Sequence, residues 1–164
     1  MPKQGFSGPP ILRPFRSAES NDLWTLMNTV YYVDSRGRTF EAPRGMLTDL
    51  ASIPALLNGL FATVDHRLPG VIHDARYMLS PVTGEKRADL DGLFAEMCGL
   101  QGANALQAAA VRGGLEIGGW HAWDECQAQG VTWADFDVSV LSDAEIADYR
   151  VRFRIADHQL GRLA

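Results

Sequence analysis

Residues 71–97 decide the fold and read VIHDARYMLSPVTGEKRADLDGLFAEM. Apolar residues in each half of this stretch recur at the three- and four-residue spacing of an amphipathic helix. They are Val71, Ile72, Ala75 and Leu79 on the first helix, and Leu90, Leu93, Phe94 and Met97 on the second, and Leu68 extends the first pattern toward the N-terminus. The intervening residues 80–84, SPVTG, are typical of a turn. The stretch therefore predicts two antiparallel helices joined as a hairpin.

Three polar side chains of this hairpin form a candidate site. In a hairpin centred on Pro81, His73 and Asp89 lie at the same level, each eight residues from the centre. Asp89 would then accept a hydrogen bond from the imidazole and fix its tautomer, as the partner of a general base does. Tyr77 shares the helix face of His73. The cluster predicts a catalytic site, and the alternative left open is a structural hydrogen-bond network.

Two further carboxylates are candidate ligands of a metal ion. Asp74 points about 100° away from His73 around the helix, so an imidazole and a carboxylate can flank one substrate. Asp74 is the candidate ligand of calcium, which takes about six to eight oxygens. Asp49 is the candidate second carboxylate, although an isolated aspartate is more often a turn or cap residue. Zinc is the rival metal, but the spacing of its candidate ligands matches no standard pattern. These ligands are His66, His73, Asp74, His121 and Asp124.

The flanking segments predict an α+β fold, with an N-terminal antiparallel sheet followed by the helical hairpin and further helices. Residues 23–33 and 39–42 predict a β-hairpin around a turn at 34–37, DSRG. Residues 45–54, GMLTDLASIP, predict a shaped loop that leads into a short helix at 55–61. A capping box at 142–145, SDAE, predicts a last helix through about residue 158. A third helix is predicted from one stripe of Leu106, Ala110, Gly113, Ile117 and Trp120.

Length and composition fit one globular domain. The chain has 164 residues, of which 46% are hydrophobic and 21% charged. We assign residues 1–164 to a single domain, with a motif-bearing core at about 23–123 and a C-terminal extension at about 124–164. The net charge of −5 argues against a nucleic-acid partner. Two cysteines are too few for a disulfide framework. Neither a signal peptide nor a transmembrane segment is predicted.

Four blocks of the sequence together resemble a family of phage and prophage proteins known only as a domain of unknown function. The blocks lie between residues 39 and 123 and read GMLTDLASIP, GVIHDARY, RADLDGLFAEM and AAVRGGLEIGGW. The resemblance implies a bacteriophage or prophage origin, often among late genes for virion or lysis functions. It also implies synthesis in the bacterial host cytoplasm, with the virion as a second location.

A second resemblance bears on the chemistry. An HDxxY motif followed by a carboxylate on an antiparallel helix is similar to the active-site hairpin of calcium-dependent secreted phospholipase A(2). The resemblance implies that His73 deprotonates water, that Asp89 orients His73, and that Tyr77 bonds to Asp89. Asp74 would bind calcium, which polarises the ester carbonyl. The chain lacks the disulfides and the glycine-rich calcium loop of those enzymes, so the TDLAS loop at 48–52 would supply carbonyl ligands instead.

Two functions are compatible with these patterns. The first is a hydrolase that activates water to cleave an ester or amide in phospholipid or another cell-envelope component. The second is a non-catalytic tail or baseplate protein, in which the polar cluster locks the hairpin and other virion proteins are the partners. A phosphohydrolase of the HD class is disfavoured, because that class is all-helical and the N-terminal third of this chain is rich in predicted β structure.

Overall fold

The structure is a computed structural model that describes residues 3–15, 23–50 and 64–136. Within these residues the order of elements confirms the predicted α+β class. The strands are β1 (Gly5–Phe6), β2 (Leu12–Pro14), β3 (Trp24–Leu26), β4 (Val30–Val33), β5 (Thr39–Ala42) and β6 (Leu47–Thr48). The helices are α1 (Arg67–Thr83), α2 (Arg87–Leu100), α3 (Ala105–Gly118) and α4 (Trp120–Gln129), followed by a 3-10 turn (Trp133–Asp135). The predicted helices at 55–61 and 142–158 lie outside the described residues.

The strands form two small antiparallel sheets, ordered β1-β4-β5 and β2-β3-β6. The predicted hairpin at 39–42 is confirmed, since β4 pairs with β5 and Tyr32 lies opposite Phe40. Its other predicted strand, 23–33, is divided between the two sheets as β3 and β4. The division falls at Asn28, whose side chain accepts from the Ile11 backbone N–H (2.6 Å) and donates to the Pro9 carbonyl (3.3 Å). An asparagine that bonds across to another segment in this way competes with continuous strand pairing.

Asp34 closes the β4–β5 hairpin. Its carboxylate accepts from the backbone N–H groups of Arg36 (2.9 Å) and Arg38 (2.7 Å), and the Arg38 guanidinium lies 2.7 Å from the other oxygen. Burial opposes ionisation, but these hydrogen bonds and the Arg38 charge hold the Asp34 pKa below its usual range. The DSRG turn therefore has the local side-chain chemistry that its sequence predicts.

The helical hairpin is formed, but its turn lies later than predicted. Helix α1 continues through Pro81 to Thr83 and ends at Gly84, which adopts the left-handed conformation (φ 70°). Pro81 has no N–H to donate to the Tyr77 carbonyl, and the Ser80 hydroxyl donates to that carbonyl instead, at 2.7 Å. Because this hydroxyl satisfies the orphaned carbonyl, the helix passes through the proline rather than ending before it.

The third predicted helix is also formed, but it stops at Gly118, and Trp120 opens the separate helix α4. The predicted stripe faces outward: Leu106 is 74% exposed and Ile117 81% exposed. The opposite face of α3 packs on α2 through buried Val111 and half-buried Leu115. No helix in the described part of the chain is long and apolar enough to cross a membrane.

One core lies between the sheets and the helices. The sheets contribute Leu26, Val30, Tyr32, Phe40 and Ala42, and α1 and α2 contribute Val71, Ile72, Ala75, Leu90, Leu93, Phe94 and Met97. Cys98 of α2 is buried in the same cluster. The helical hairpin is therefore held on the sheets mainly by apolar burial.

Glu96 is the polar link between α2 and the β4–β5 hairpin. Its carboxylate accepts from the Tyr32 hydroxyl (2.6 Å), from the Gln4 side chain (3.0 Å), and from the backbone N–H and hydroxyl of Ser35 (3.0 and 2.9 Å). Burial acts to raise the Glu96 pKa, but the hydrogen bonds from Tyr32 and Ser35 outweigh it and lower the pKa below its ordinary value. The ionised carboxylate therefore stabilises the fold.

Replacing this carboxylate is expected to reduce stability in a pH-dependent way. Because the folded-state pKa is depressed, the stabilisation is present above the ordinary pKa of 4.5 and is lost as pH falls through the folded value. Glu96→Gln should lower the free energy of unfolding at pH 7 by about 1–3 kcal/mol, measured by urea titration. The difference from wild type should shrink as the pH falls below 4.5. Glu125→Gln, at an exposed carboxylate, is the control and should change little. An equal loss of stability at pH 7 and at acidic pH would contradict stabilisation by the ionised Glu96 carboxylate.

Candidate functional site

A buried histidine, tyrosine and aspartate meet between α1 and α2. The His73 Nε2 atom lies 3.3 Å from Asp91 Oδ1, and the Tyr77 hydroxyl donates to the same oxygen. The exposed fractions are 5% for His73, 4% for Tyr77 and 0% for Asp91. One carboxylate oxygen thus joins two side chains that stand four residues apart on α1. We call these three residues the buried triad.

The carboxylate of the triad is Asp91, and the predicted pairing of His73 and Tyr77 with Asp89 is wrong. Asp89 lies exposed in the first turn of α2. Because α1 continues past Pro81, the turn of the hairpin comes at residues 84–86, and the residues of α2 that face His73 lie further along the chain. A helical wheel of α2 does not separate the two aspartates, because Asp89 and Asp91 each lie about 100° from the middle of the apolar face, on opposite sides.

Aromatic rings enclose the triad. The His73 ring centroid lies 4.1 Å from that of Tyr77 and 4.9 Å from that of Phe94. The Trp123 ring of α4 meets the Tyr77 ring edge-on at 5.1 Å. Burial and, after it, the hydrogen bond to Asp91 raise the pKa of the Tyr77 phenol far above its usual value. Tyr77 is therefore a permanent hydrogen-bond donor to the carboxylate.

The hydrogen bonds of the triad leave two atoms open. Asp91 Oδ2 is buried and has no hydrogen-bond partner among the described residues. If His73 donates from Nε2 to Asp91, its Nδ1 atom carries the lone pair, and no described residue hydrogen-bonds to it. An imidazole with one nitrogen held by a carboxylate and the other free is the arrangement of a general base.

The predicted cation ligands lie at a neighbouring turn. The Thr48 hydroxyl donates to Asp74 Oδ2 at 2.5 Å and accepts from the Leu50 backbone N–H at 2.9 Å. Leu50 has a φ of +65°, a strained conformation for a residue other than glycine. Asp74 is half-buried and Asp49 is exposed. The start of the TDLAS loop therefore packs against Asp74, one residue after His73.

Asp74 and Asp49 both influence the thiol of Cys126 on α4. Burial raises the pKa of Cys126 to about 12, and the charges of Asp74, Glu125 and Asp49 raise it in the same direction. The two aspartates and Cys126 therefore lie in one region, with the thiol protonated and unreactive.

Within the described residues, no group of three or more histidine, cysteine, aspartate or glutamate side chains comes close enough together to hold a metal ion. The candidate zinc ligands include His121, which is exposed on α4 and pairs with Glu125 at 3.4 Å. Asp74 and Asp49 fall well short of the six to eight oxygens that calcium takes. The described side chains therefore do not make a calcium cage, and calcium stays a prediction.

The model of a protein family described as a protein of unknown function, DUF1353, matches residues 24–111. The match spans more than half of the 164 residues. The chain belongs to the DUF1353 family. This confirms the resemblance to a domain of unknown function, whereas the phage origin stays a prediction. No curated protein and no solved structure matches the chain.

The DUF1353 match runs from β3 into α3 and contains all three residues of the buried triad. It ends before α4, which covers Tyr77 with Trp123. Gly119, at the α3–α4 junction, approaches the triad closely. A Cβ atom there would lie 2.7 Å from the Leu115 carbonyl oxygen and 3.2 Å from the Tyr77 hydroxyl oxygen. This junction of the DUF1353 chain therefore requires glycine.

Gly119→Ala is expected to destabilise the protein by roughly 1–3 kcal/mol, because the backbone carbonyl of Leu115 must move to admit the new methyl group. Gly118→Ala is the matched control, since a Cβ at Gly118 meets nothing within 4 Å. The control should be neutral or slightly stabilising, as alanine in place of helical glycine usually is. Thermal unfolding followed by circular dichroism measures both, and equal melting temperatures for the two variants would refute the close approach.

Proposed function

We propose that the protein is a hydrolase in which His73 activates water to cleave an ester or amide of a cell-envelope component. The observation that carries the proposal is the shared oxygen of Asp91, which accepts from the Tyr77 hydroxyl and lies 3.3 Å from His73 Nε2. Burial strengthens both interactions, because the competing solvent is excluded. A buried histidine paired with a carboxylate therefore supports the hydrolase proposal more strongly than an isolated histidine would.

Each triad residue has a defined part in this chemistry. Asp91 holds the imidazole in the tautomer in which Nε2 carries the proton. The lone pair on Nδ1 can then take a proton from water. As the imidazolium forms, the carboxylate stabilises its charge. Tyr77 holds the carboxylate in place through its hydroxyl. Hydroxide produced at Nδ1 then attacks the carbonyl carbon of the substrate. The tetrahedral intermediate collapses with cleavage of the C–O or C–N bond, and the imidazolium returns its Nδ1 proton to the leaving alcohol or amine.

The hairpin also resembles that of calcium-dependent phospholipase A(2), and we propose Asp91, which lies 3.3 Å from His73, rather than Asp89 for the carboxylate role of that resemblance. Asp74, next to His73, keeps the role of the candidate calcium ligand. Calcium, when bound in such enzymes, polarises the ester carbonyl. Since the described side chains do not form a cage for it, the water-activating step proposed above involves His73, Asp91 and Tyr77 alone.

The hydrolase proposal makes a prediction about two aspartates on one helix. Asp91→Asn and His73→Gln should each reduce the rate of fatty-acid release from phospholipid vesicles by roughly 10²–10⁴-fold, the usual contribution of general-base catalysis. Asp89→Asn is the matched control, because Asp89 is exposed on the same helix, and it should keep the wild-type rate. The assay is run with calcium and with a chelator, and a water-soluble ester and an amide replace the vesicles in parallel.

Folding must be verified in the same samples, by the melting temperature and the circular dichroism spectrum of each variant. A folded wild-type protein that releases no product from any of these substrates would exclude the hydrolase. Equal rates for Asp89→Asn and Asp91→Asn would exclude Asp91 as the partner of His73. Loss of activity on adding the chelator would identify calcium as a requirement.

A second function is supported by the burial of the triad, with exposed fractions of 0–5%. We propose as the alternative a phage tail or baseplate protein in which the triad locks α1 to α2 and other virion proteins are the partners. A buried polar network that joins two helices can specify one packing arrangement. In this case the triad contributes stability and no chemistry.

The structural alternative predicts that Tyr77→Phe lowers the free energy of unfolding by about 1–3 kcal/mol, because the buried Asp91 carboxylate loses a donor. Urea titration measures the loss. Tyr31→Phe, at a half-exposed tyrosine of β4, is the control and should change stability little. In purified particles, the structural role requires a fixed number of copies per particle, and particles that lack the protein would contradict it.

A further inference from the structure

The outward face of α3 is apolar and has no partner among the described elements. Leu106, Ala110, Gly113 and Ile117 share this face, and Leu106 and Ile117 are among the most exposed large apolar side chains. Trp120, at the start of α4, continues the face and is 56% exposed. Exposed apolar side chains that cluster on one face mark an interaction surface. We call this surface the α3 face.

We propose that the α3 face binds a second copy of this chain, with the two α3 helices antiparallel and related by a two-fold axis near Gly114. In a two-fold interface the same patch serves both subunits, so the patch must complement itself. Both the sizes and the charges of the side chains on α3 meet this requirement. The proposal concerns a surface remote from the buried triad and does not depend on the proposed function.

The sizes complement each other in this arrangement. With the axis near Gly114, Ile117 of one copy lies at the level of Val111 of the other, between the second copy's Ala110 and Gly113. A large branched side chain thus meets two small ones, which is the knob-into-hole packing of close helix pairs. The small residues also let the two helix backbones approach closely.

The charges complement each other as well, and they select the antiparallel orientation. Glu116 lies on one flank of the α3 face and Arg112, one turn earlier on the same side of the helix, lies about 130° from the middle of the face. Both are more than half exposed, and they pair with each other within the helix at 3.3 Å. In an antiparallel pair this flank meets the same flank of the second copy, and Arg112 stands level with the second copy's Glu116. In a parallel pair the flank would instead meet Gly114 and Gly118, which carry no charge. Two ion pairs across the axis therefore favour the antiparallel dimer.

The inner face of α3 packs against the rest of the protein, so the α3 face points outward. Val111 is buried in the core, and the Arg87 guanidinium donates to the carbonyls of Leu115 (3.2 Å) and Glu116 (3.5 Å). Self-association through the outer face therefore leaves the contacts of the monomer unchanged. A single helix pair is a small interface, so we expect a dissociation constant of roughly micromolar size.

Sedimentation equilibrium of the full chain between about 1 and 200 µM tests the proposal. Wild type should show a monomer–dimer equilibrium, and Ile117→Asp should weaken it by at least about tenfold with an unchanged melting temperature. Asp124→Arg, an exposed change outside the α3 face, is the control and should dimerise like wild type. A monomeric wild type throughout this range overturns the proposal and leaves the face to a different protein. A dimer that survives Ile117→Asp also overturns it.

Charge exchange between chains tests the orientation. Arg112→Glu makes the flank wholly acidic and Glu116→Arg makes it wholly basic, so each variant alone should dimerise about tenfold more weakly than wild type. An equimolar mixture of the two variants should form a heterodimer of near wild-type affinity, since every facing pair is then opposite in charge. A mixture that associates no better than the separate variants overturns the antiparallel arrangement.

Discussion

The buried carboxylate of Asp91 is the group on which the arrangement of the two central helices depends. A carboxylate with no exposed surface is costly unless donors surround it, and here the Tyr77 hydroxyl and the His73 imidazole supply them. Both donors lie on α1 and the acceptor lies on α2. Sliding either helix by one turn would leave the charge without partners, so the triad defines how α1 and α2 align.

A second carboxylate on α2 connects that helix to the sheet in a similar way. Glu96 follows Asp91 by five residues and accepts from the Tyr32 hydroxyl of β4 and from Ser35 at the hairpin turn. Each carboxylate therefore takes a tyrosine hydroxyl, one from the neighbouring helix and one from the sheet. Apolar burial supplies most of the stability of this assembly, and the two polar contacts specify its geometry.

The two proposed functions use the triad in opposite ways. A general base requires a reacting water at His73 Nδ1 while Asp91 holds Nε2, whereas a structural lock requires only the contacts of Asp91 with His73 and Tyr77. Helix α4 bears on this difference, because Trp123 covers Tyr77 and the Gly119 backbone approaches the same hydroxyl. Neither proposed function involves the α3 face, because α3 packs its buried side against α2 and leaves its apolar stripe exposed.

Features that depend on neighbouring residues along the chain could be predicted from the sequence. The α+β order, the DSRG hairpin turn and the two helices around HDxxY follow from local periodicity and turn chemistry. The partner of His73 could not be predicted, because a proline was expected to end α1. The Ser80 hydroxyl bonds to the carbonyl three residues earlier that Pro81 leaves unpaired, so α1 continues, the turn moves and Asp91 replaces Asp89.

The outward orientation of the apolar stripe of α3 also depends on packing between helices. An apolar stripe predicts a helix, but the side of the helix that becomes buried depends on which neighbour packs against it. Here α2 takes the side with Val111 and leaves Ile117 exposed. Hydrophobic periodicity and turn residues are properties of short segments and can be recognised in the sequence. Register and burial are set by contacts between segments far apart in the chain, so they emerge only when the helices and sheets pack together.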